Sequence, residues 1–508
     1  MTKQDGTYDL LVVGGGINGV GIARDAVGRG LSVLLVEQSD LASGTSSASS
    51  KLIHGGLRYL EQYEFRLVRE ALAEREALLA IAPHIVTPLT FVLPHDASLR
   101  PAWMIRAGLF LYDHLAPRSR LPASGLLDLR RTPFGEPLKP GFTRGFSYAD
   151  CWVDDSRLVV LNAVDAAERG ASVRTRCRFV SAVPEGGHWR ATIAPASGAD
   201  EAVAARVLVN AAGPWVEQVL RLGIGRAGPS KLRLVKGSHI VVPRLYAGEQ
   251  AYILQNPDRR IVFVIPYEQR FTLIGTTDEF FEGDPGEVAI STAEAQYLCA
   301  SASRFLKTAV RPDDVVWSYA GVRPLYDDAA EDASTLTRDY VFDVAAGAGR
   351  PPVLSIFGGK ITTYRRLAEH ALRQLQPHLP GLGRAWTGGA PLPGGDLAGG
   401  DLDGFRAELR ARRPSLPAEL VRRLAGAYGT RVERLLGDAA SLDDLGRDLG
   451  AGLTEREVDY LVREEWAQTT EDILWRRSKL GLHGGARLAA NVTAYLERSK
   501  AGSSLSEV

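Results

Sequence analysis

Tyr8 to Glu37 reads YDLLVVGGGINGVGIARDAVGRGLSVLLVE, and the fold is decided there. A short apolar strand, Leu10 to Val13, runs into Gly14, Gly16 and Gly19 at G-x-G-x-x-G spacing. A helical segment follows from Val20 to about Arg29, then a second apolar strand, Ser32 to Val36, that ends on Glu37. The pattern is a dinucleotide-binding βαβ unit. Gly14 permits the tight turn, Gly16 lets backbone approach a pyrophosphate, and Gly19 lets helix pack close to strand. The pyrophosphate is expected on the N–H groups and positive dipole end of the helix. Glu37, 23 residues after Gly14, is placed to accept the ribose hydroxyls of an adenosine. A glycine motif alone is weak. Here strand, helix, second strand and acid all accompany it.

At 508 residues the chain is too long for one core, and two or three domains are expected. Its 45% apolar and 24% charged residues describe an ordinary globular protein. Lys+Arg and Asp+Glu are both 60, so no bulk field favours nucleic acid. The three cysteines, Cys151, Cys177 and Cys299, are too few and too scattered for a disulfide framework or a zinc site, which fits a reducing cytoplasm. The polar start MTKQDGTYD has no signal-like apolar region, and no run reaches the length needed to span a bilayer. Lying on a membrane surface stays open.

Beyond Glu37, QSDLASGTSSASSKLIHGGLRYLEQYEF is dense in small hydroxyl residues, which form turns and caps or hydrogen-bond a polar cofactor. Lys51, His54, Gly55, Gly56, Arg58 and Tyr59 tilt the reading towards a site. Residues 65–82 read as an amphipathic scaffold helix. Ala102 to Leu115, apolar and aromatic with Arg100, Arg106, Arg118 and Arg120 around it, reads first as a buried helix of a substrate domain. The other reading is a helix on a membrane surface with arginines at the headgroups. The α/β pattern returns over 145–222, where Asn210 to Trp215 place small residues beyond a strand, against a dinucleotide or as a plain loop. Period-two alternation over 232–281 predicts an antiparallel sheet, with His239 in its first strand, where a histidine is usually structural. LSIFGGKITTYRRLAEHAL repeats strand, glycine turn and helix, and should return to the first sheet. Residues 376–402, rich in Gly and Pro, read as a linker, and the rest is helical, with a capping box at Thr454 and Glu457. WRRSK (475–479) reads as a solvated face or a membrane contact.

Taken together, GGGINGVGIARDAVGRGLSVLLVE, TSSASSKLIHGGLRYLEQYEFRLV, NAAGPWV, KGSHIVVPR, IGTTD, GVRPL, TRDY and FGGKITTYRRLAEH resemble, in order and over roughly residues 8–370, the respiratory FAD-dependent glycerol-3-phosphate dehydrogenases. The resemblance implies an α/β plus α architecture with three parts. A glutathione-reductase-like FAD-binding domain would comprise residues 1–80, 145–225 and 316–375. An antiparallel substrate-cap sheet would comprise 81–144 and 226–315, and an α-helical C-terminal domain 403–508. It also implies FAD as cofactor, contacted by Gly14, Gly16, Ile17, Asn18, Gly19, Glu37, Gln38, Thr45, Ser46, Ser47, Ser50, Lys51, Leu52, Ala212, Gly213, Gly359, Lys360, Thr362 and Thr363. The reaction would be oxidation of sn-glycerol 3-phosphate to dihydroxyacetone phosphate, with electrons passed to a membrane quinone. The protein would be cytoplasmic and peripheral on the inner face of the cell membrane, with a homodimer open.

A phosphate dianion needs fixed cations, and Arg58, Arg323 and Arg338 are the candidates, with Tyr59 assisting. For the base that takes the hydroxyl proton, His54 and His239 both qualify. Lys360 would stabilise negative charge on the reduced flavin, or touch substrate directly. Three alternatives stand beside this reading. They are an oxidase passing electrons to oxygen, an amine or hydroxy-acid oxidase of the same superfamily, and a flavin-bound sensor without turnover.

Overall fold

The computed structural model describes residues 6–96, 100–117, 120–226, 231–258, 260–327, 339–347 and 349–505. Two sheets and a helical domain organise them. The first sheet runs Val341–Gly347, Arg350–Phe357, Glu201–Asn210, Thr7–Val13, Val33–Val36, Ser172–Arg174. Its centre is parallel, and LLVV of the first strand and VLLV of the second are buried because helices or an antiparallel ribbon cover both faces. On one face the helices Ile17–Gly28, Asp155–Glu168 and Tyr364–Leu375 share one core cluster. On the other, the ribbon Cys177–Glu185 with His188–Pro195 carries the buried Trp189.

The second sheet runs Glu279–Phe280, Leu232–Pro243, Phe271–Gly275, Ile261–Tyr267, Ala251–Gln255, Val86–Pro94, Arg144–Val153, Leu52–Ile53. It is antiparallel except where Val86–Pro94 meets Ala251–Gln255 in parallel. Trp317–Tyr326 pairs along nearly all of Leu232–Pro243, so this strand and Arg144–Val153 belong to the cap sheet. Residues 145–153 and 317–326, expected in the FAD-binding domain, therefore pair in the second sheet. Period two alone does not reveal which sheet a strand joins.

Residues 376–402 are not a loose tether. Leu379 and Leu392 enter the core beside the first helix, and the Trp386 indole N–H donates to Asp25 O (3.1 Å). The guanidinium groups of Arg24 and Arg169 lie over the Trp386 ring, 4.8 and 4.1 Å from its centroid. The C-terminal domain builds its own core around Leu420, Leu424, Val458 and Leu461. Only half of the expected capping box forms there. Thr454 Oγ1 accepts from Glu457 N (3.3 Å), while the Glu457 carboxylate is taken by Arg423 (2.7 and 2.6 Å) and Tyr428 (2.8 Å).

Two further expectations are corrected. The helix Ala102–His114 buries only Leu109, Tyr112 and Asp113, and it leaves Trp103 70% and Phe110 57% exposed, with Met104 and Leu111 beside them. It is an outward-facing apolar helix, not a core one. WRRSK is neither solvated nor on the surface as a patch. Arg477 and Lys479 are buried, and Trp475 stacks on Trp317 with centroids 4.5 Å apart. Carboxylates already inside the fold draw these cations in.

Candidate functional site

The glycine turn forms as its spacing requires. Gly14 adopts φ +110°, and its N–H donates to Val36 O (2.9 Å). A Cβ on Gly14 would meet Ala211 O at 2.5 Å, and one on Gly19 would meet Gly14 O at 1.9 Å, so strand, helix and the 211–213 turn close only without side chains. The first helix starts on Gly16 with no side chain capping its end, apart from Ile17 N–H donating to Ser46 Oγ (3.0 Å). Asn18 Nδ2 donates to Gly358 O (3.3 Å), which ties this helix start to the distant FGGK turn. Glu37 follows the second strand and accepts from Gly15 N (2.6 Å) and Ser39 N (2.8 Å). Burial raises its pKa, against the pull of those two N–H donors.

Between the two sheets lies a cavity of about 880 Å³. Its dinucleotide side is lined by Gly14, Gly16, Ile17, Asn18, Glu37, Gln38, Thr45, Ser46, Ser50, Leu52, Ala212, Gly213, Gly359, Lys360 and Thr362. His54, Arg58, Tyr59, His239 and Arg323 line it as well. Four residues assigned to the cofactor do not reach the wall. Gly19 is the helix–strand contact just described, and Ser47 Oγ closes a turn on Gly44 O (3.4 Å). Thr363 is buried ahead of the last helix of this domain. The Lys51 ammonium is buried in a pair with Asp155 (2.9 Å), because that carboxylate lies wholly inside the fold and needs a cation. Arg338 lies outside the described residues.

Around the pocket the polar groups are held firmly. The 3-10 turn Leu57–Gln62 presents Arg58 and Tyr59, and Lys360 Nζ lies 3.9 Å from the centroid of the Tyr59 ring. Beneath that turn, Gly55 N–H donates to Tyr112 OH (2.8 Å), and Tyr112 in turn donates to Asp150, which Arg75 also holds (2.8 Å). His54 N–H donates to Thr362 Oγ1 (3.3 Å), joining the two segments that carry His54 and Lys360. His239 is buried, stacks on Tyr319 with centroids 4.8 Å apart, and shares a hydrogen bond between Nε2 and Ser50 Oγ (2.9 Å). Burial, reinforced by Lys51 and Arg323, holds its pKa well below the usual histidine value, so the ring is neutral near pH 7. Arg323 already pairs with Asp278 and donates to Thr276 Oγ1 (3.2 Å).

Sequence reasoning passed over part of the cavity wall, where Arg178, Phe179 and Val180 join Trp215. Trp215 belongs to the quoted NAAGPWV turn, but nothing in the strand Cys177–Glu185 signals a ligand. Asp278 closes the quoted IGTTD string and was legible as a motif, though its pairing with Arg323 was not.

The cavity fits FAD. A helix start whose N-cap is Gly16 lies on its wall, an acid stands at the end of the second strand, and Asn18 Oδ1 and His239 Nδ1 are buried on lining residues with no partner among the described residues.

Comparison with known proteins agrees. Residues 9–365 match the model of the FAD dependent oxidoreductases, and 385–500 that of the C-terminal domain of alpha-glycerophosphate oxidase. The chain is 58% identical over 490 residues to a glycerol-3-phosphate dehydrogenase of Pseudomonas aeruginosa, covering 96% of this chain and 95% of that one. It is 52% identical over 478 residues to a D-erythritol 1-phosphate dehydrogenase of Brucella abortus, covering 94% and 95%. Among solved structures it is similar to the glycerol-3-phosphate dehydrogenase of Bacillus halodurans complexed with FAD, with a TM-score of 0.76 at 28% identity over 98% of this chain and 90% of that one.

Proposed function

This chain belongs to the FAD-dependent glycerol-3-phosphate dehydrogenases, and on that premise we propose how its own residues carry out the oxidation of sn-glycerol 3-phosphate to dihydroxyacetone phosphate. The observation that carries the proposal is one cavity joining the dinucleotide loops to two histidines and three cations, Arg58, Arg323 and Lys360. FAD, when bound, supplies the two-electron acceptor for the hydride leaving the secondary alcohol carbon.

The residues then divide the remaining work. Arg58 and Arg323 hold the phosphate dianion, with Tyr59 closing over it. Asp278 keeps Arg323 extended across the strand and shares its guanidinium with the substrate, so the arginine is oriented before binding. His239 is neutral, and Ser50 fixes its ring through Nε2. As a neutral imidazole on the cavity wall it takes the hydroxyl proton. Lys360, beside Tyr59, keeps positive charge at the site as negative charge develops. Strands of the second sheet supply His239, Ile253, Phe263 and Arg323 to the pocket wall.

Electrons pass on to a membrane quinone, and the enzyme lies on the inner face of the cell membrane. The exposed apolar side of Ala102–His114, with Arg100 and Arg106 at its flank, supports that placement. No helix among the described residues is long and apolar enough to cross a membrane.

A second reading, oxidation of a longer polyol phosphate, is favoured by the 52% identity to the D-erythritol 1-phosphate dehydrogenase. One anaerobic experiment separates these readings. Glycerol 3-phosphate should bleach the oxidised-flavin band of the purified protein, and a quinone analogue should restore it faster than air does. Bleaching by D-erythritol 1-phosphate at far lower concentration would give the site to the longer substrate. Rapid recovery in air with peroxide would make the protein an oxidase.

A further inference from the structure

Asp40 is one buried link between the C-terminal domain and the cofactor loop. This carboxylate is 1% exposed and lies three residues past Glu37 in the loop between the second strand and Lys51. Arg477 grips it with both Nη groups, each at 2.8 Å, and Arg476 adds Nε at 2.7 Å. Arg476 also donates to Asp472 (2.5 Å), which Arg176 shares, and the Arg176 N–H donates to Ser39 O (2.8 Å) in the same loop. The far end of the loop is tied as well. Lys479 Nζ donates to Ser156 Oγ (2.8 Å), next to Asp155, which holds Ser49 (2.7 Å) and Lys51. None of these cations faces the cavity, whereas Gln38, Ser39, Thr45 and Ser50 of the same loop line it.

We propose that residues 472–479 of the C-terminal domain are positioning residues for FAD: by gripping Asp40 they hold the cofactor loop in its binding shape, so that FAD binding and docking of the C-terminal domain strengthen one another. The physical basis is the cost of an unpaired buried carboxylate. If 472–479 lift away, Asp40 loses its close arginine partners, Arg476 and Arg477, and keeps only Arg176 at 3.8 Å, so it must turn towards water and the loop turns with it. Linkage makes the effect reciprocal. FAD that fixes the loop also fixes the platform on which Arg476 and Arg477 dock. This inference rests on the FAD reading above. A protein that never takes up FAD removes that reading, whereas one that binds FAD without this coupling removes only the brace.

The test uses full-length protein stripped of flavin and titrated with FAD. Asp40→Asn and Arg477→Lys should each raise the FAD dissociation constant by about tenfold or more, the usual span of a coupling between sites, with the KM for glycerol 3-phosphate unchanged at saturating FAD. The control is Arg423→Met, which breaks the pair of half-buried Arg423 with buried Glu457 inside the same domain, at residues other than those that hold the loop. It should lower the melting temperature and leave FAD affinity within about twofold of wild type. In the unaltered protein, amide exchange across 472–479 should slow on FAD binding, a measurement that needs no variant to fold. Wild-type FAD affinity in both loop variants, equal loosening in Arg423→Met, or exchange across 472–479 indifferent to FAD would each overturn the brace.

Discussion

Arg323 and His239 carry opposite electrostatic assignments a few residues apart in paired strands, and each is open to a single-residue test. Arg323→Ala removes the guanidinium but leaves Asp278 beside the pocket, so the dianion loses a cation while a carboxylate stays near it. The KM for glycerol 3-phosphate should rise by about tenfold to a hundredfold with FAD still bound, read from steady-state rates and the flavin spectrum of one preparation. A wild-type KM would remove Arg323 from the phosphate site. His239 is neutral where an ordinary histidine is half protonated, so as the base it should keep kcat/KM level down through about pH 6.5, with the acid limb only below it. The stability linkage has a defined sign. The folded ring binds its proton only below the unfolded value, so the native state loses stability as pH falls under about 6.5. An acid limb centred at or above that pH, and unmoved in His239→Asn, would give the role to His54. At this scale the glycines were fully legible, because no side chain fits where Gly14 and Gly19 stand. Lys51 was not legible. Its motif position suggests a ligand, yet the decisive fact is a buried Asp155 more than a hundred residues away. Phe179 and Val180 gave no signal either, since a strand edge that meets a ligand carries no distinctive residue type.

The helix Ala102–His114 shows what periodicity leaves out. Its composition is that of a core helix, and whether such a helix turns inward or outward depends on what covers it. The rest of the chain covers only Leu109, Tyr112 and Asp113. Replacing Trp103 and Phe110 together by Asp should abolish binding to anionic liposomes in a flotation assay while the soluble turnover of glycerol 3-phosphate persists, because both side chains face outward and neither lines the cavity. Equal flotation of variant and wild type would move the membrane contact elsewhere. Arg120, part of the same expected surface, spends its guanidinium on Gly399 O (2.6 Å) and Gly400 O, and Arg118 lies outside the described residues. Glycine and proline content predicted a linker over 376–402. That composition reports the local absence of helix and strand, not the absence of packing, and Trp386 with Leu392 makes the segment a strap along the first helix.

Across the whole molecule the parts are joined by buried charge. Arg157, on the helix Asp155–Glu168, pairs with Glu465 at the end of Glu455–Glu465, and both side chains are almost wholly buried. Glu465→Gln leaves Arg157 without its counter-charge and should lower unfolding stability by about 3 kcal/mol, seen as an earlier denaturant midpoint with unchanged slope. An unchanged midpoint would mean that the two domains unfold separately. A dinucleotide unit, an antiparallel sheet and a helical tail were legible from glycine spacing, period two and helical patterning, and their arrangement as FAD domain, cap and tail only from the family resemblance. The assignment of Arg144–Val153 and Trp317–Tyr326 was not, because sheet membership is settled by pairing between strands far apart in the chain.

That distant pairing also sets an order of events during synthesis. The first strand, Thr7–Val13, lies between Val33–Val36 and Glu201–Asn210, and the latter lies beside Arg350–Phe357. A ribosome adding roughly 5–20 residues per second leaves one edge of the first strand without its partner for ~10–40 s, and the Lys360 side of the cavity appears later still. The nascent βαβ unit therefore emerges with the shape of a nucleotide site but without its neighbours. For that interval its apolar strand edge needs a chaperone's cover or a chain that translates quickly, and the cofactor has no complete seat until most of the protein has been made.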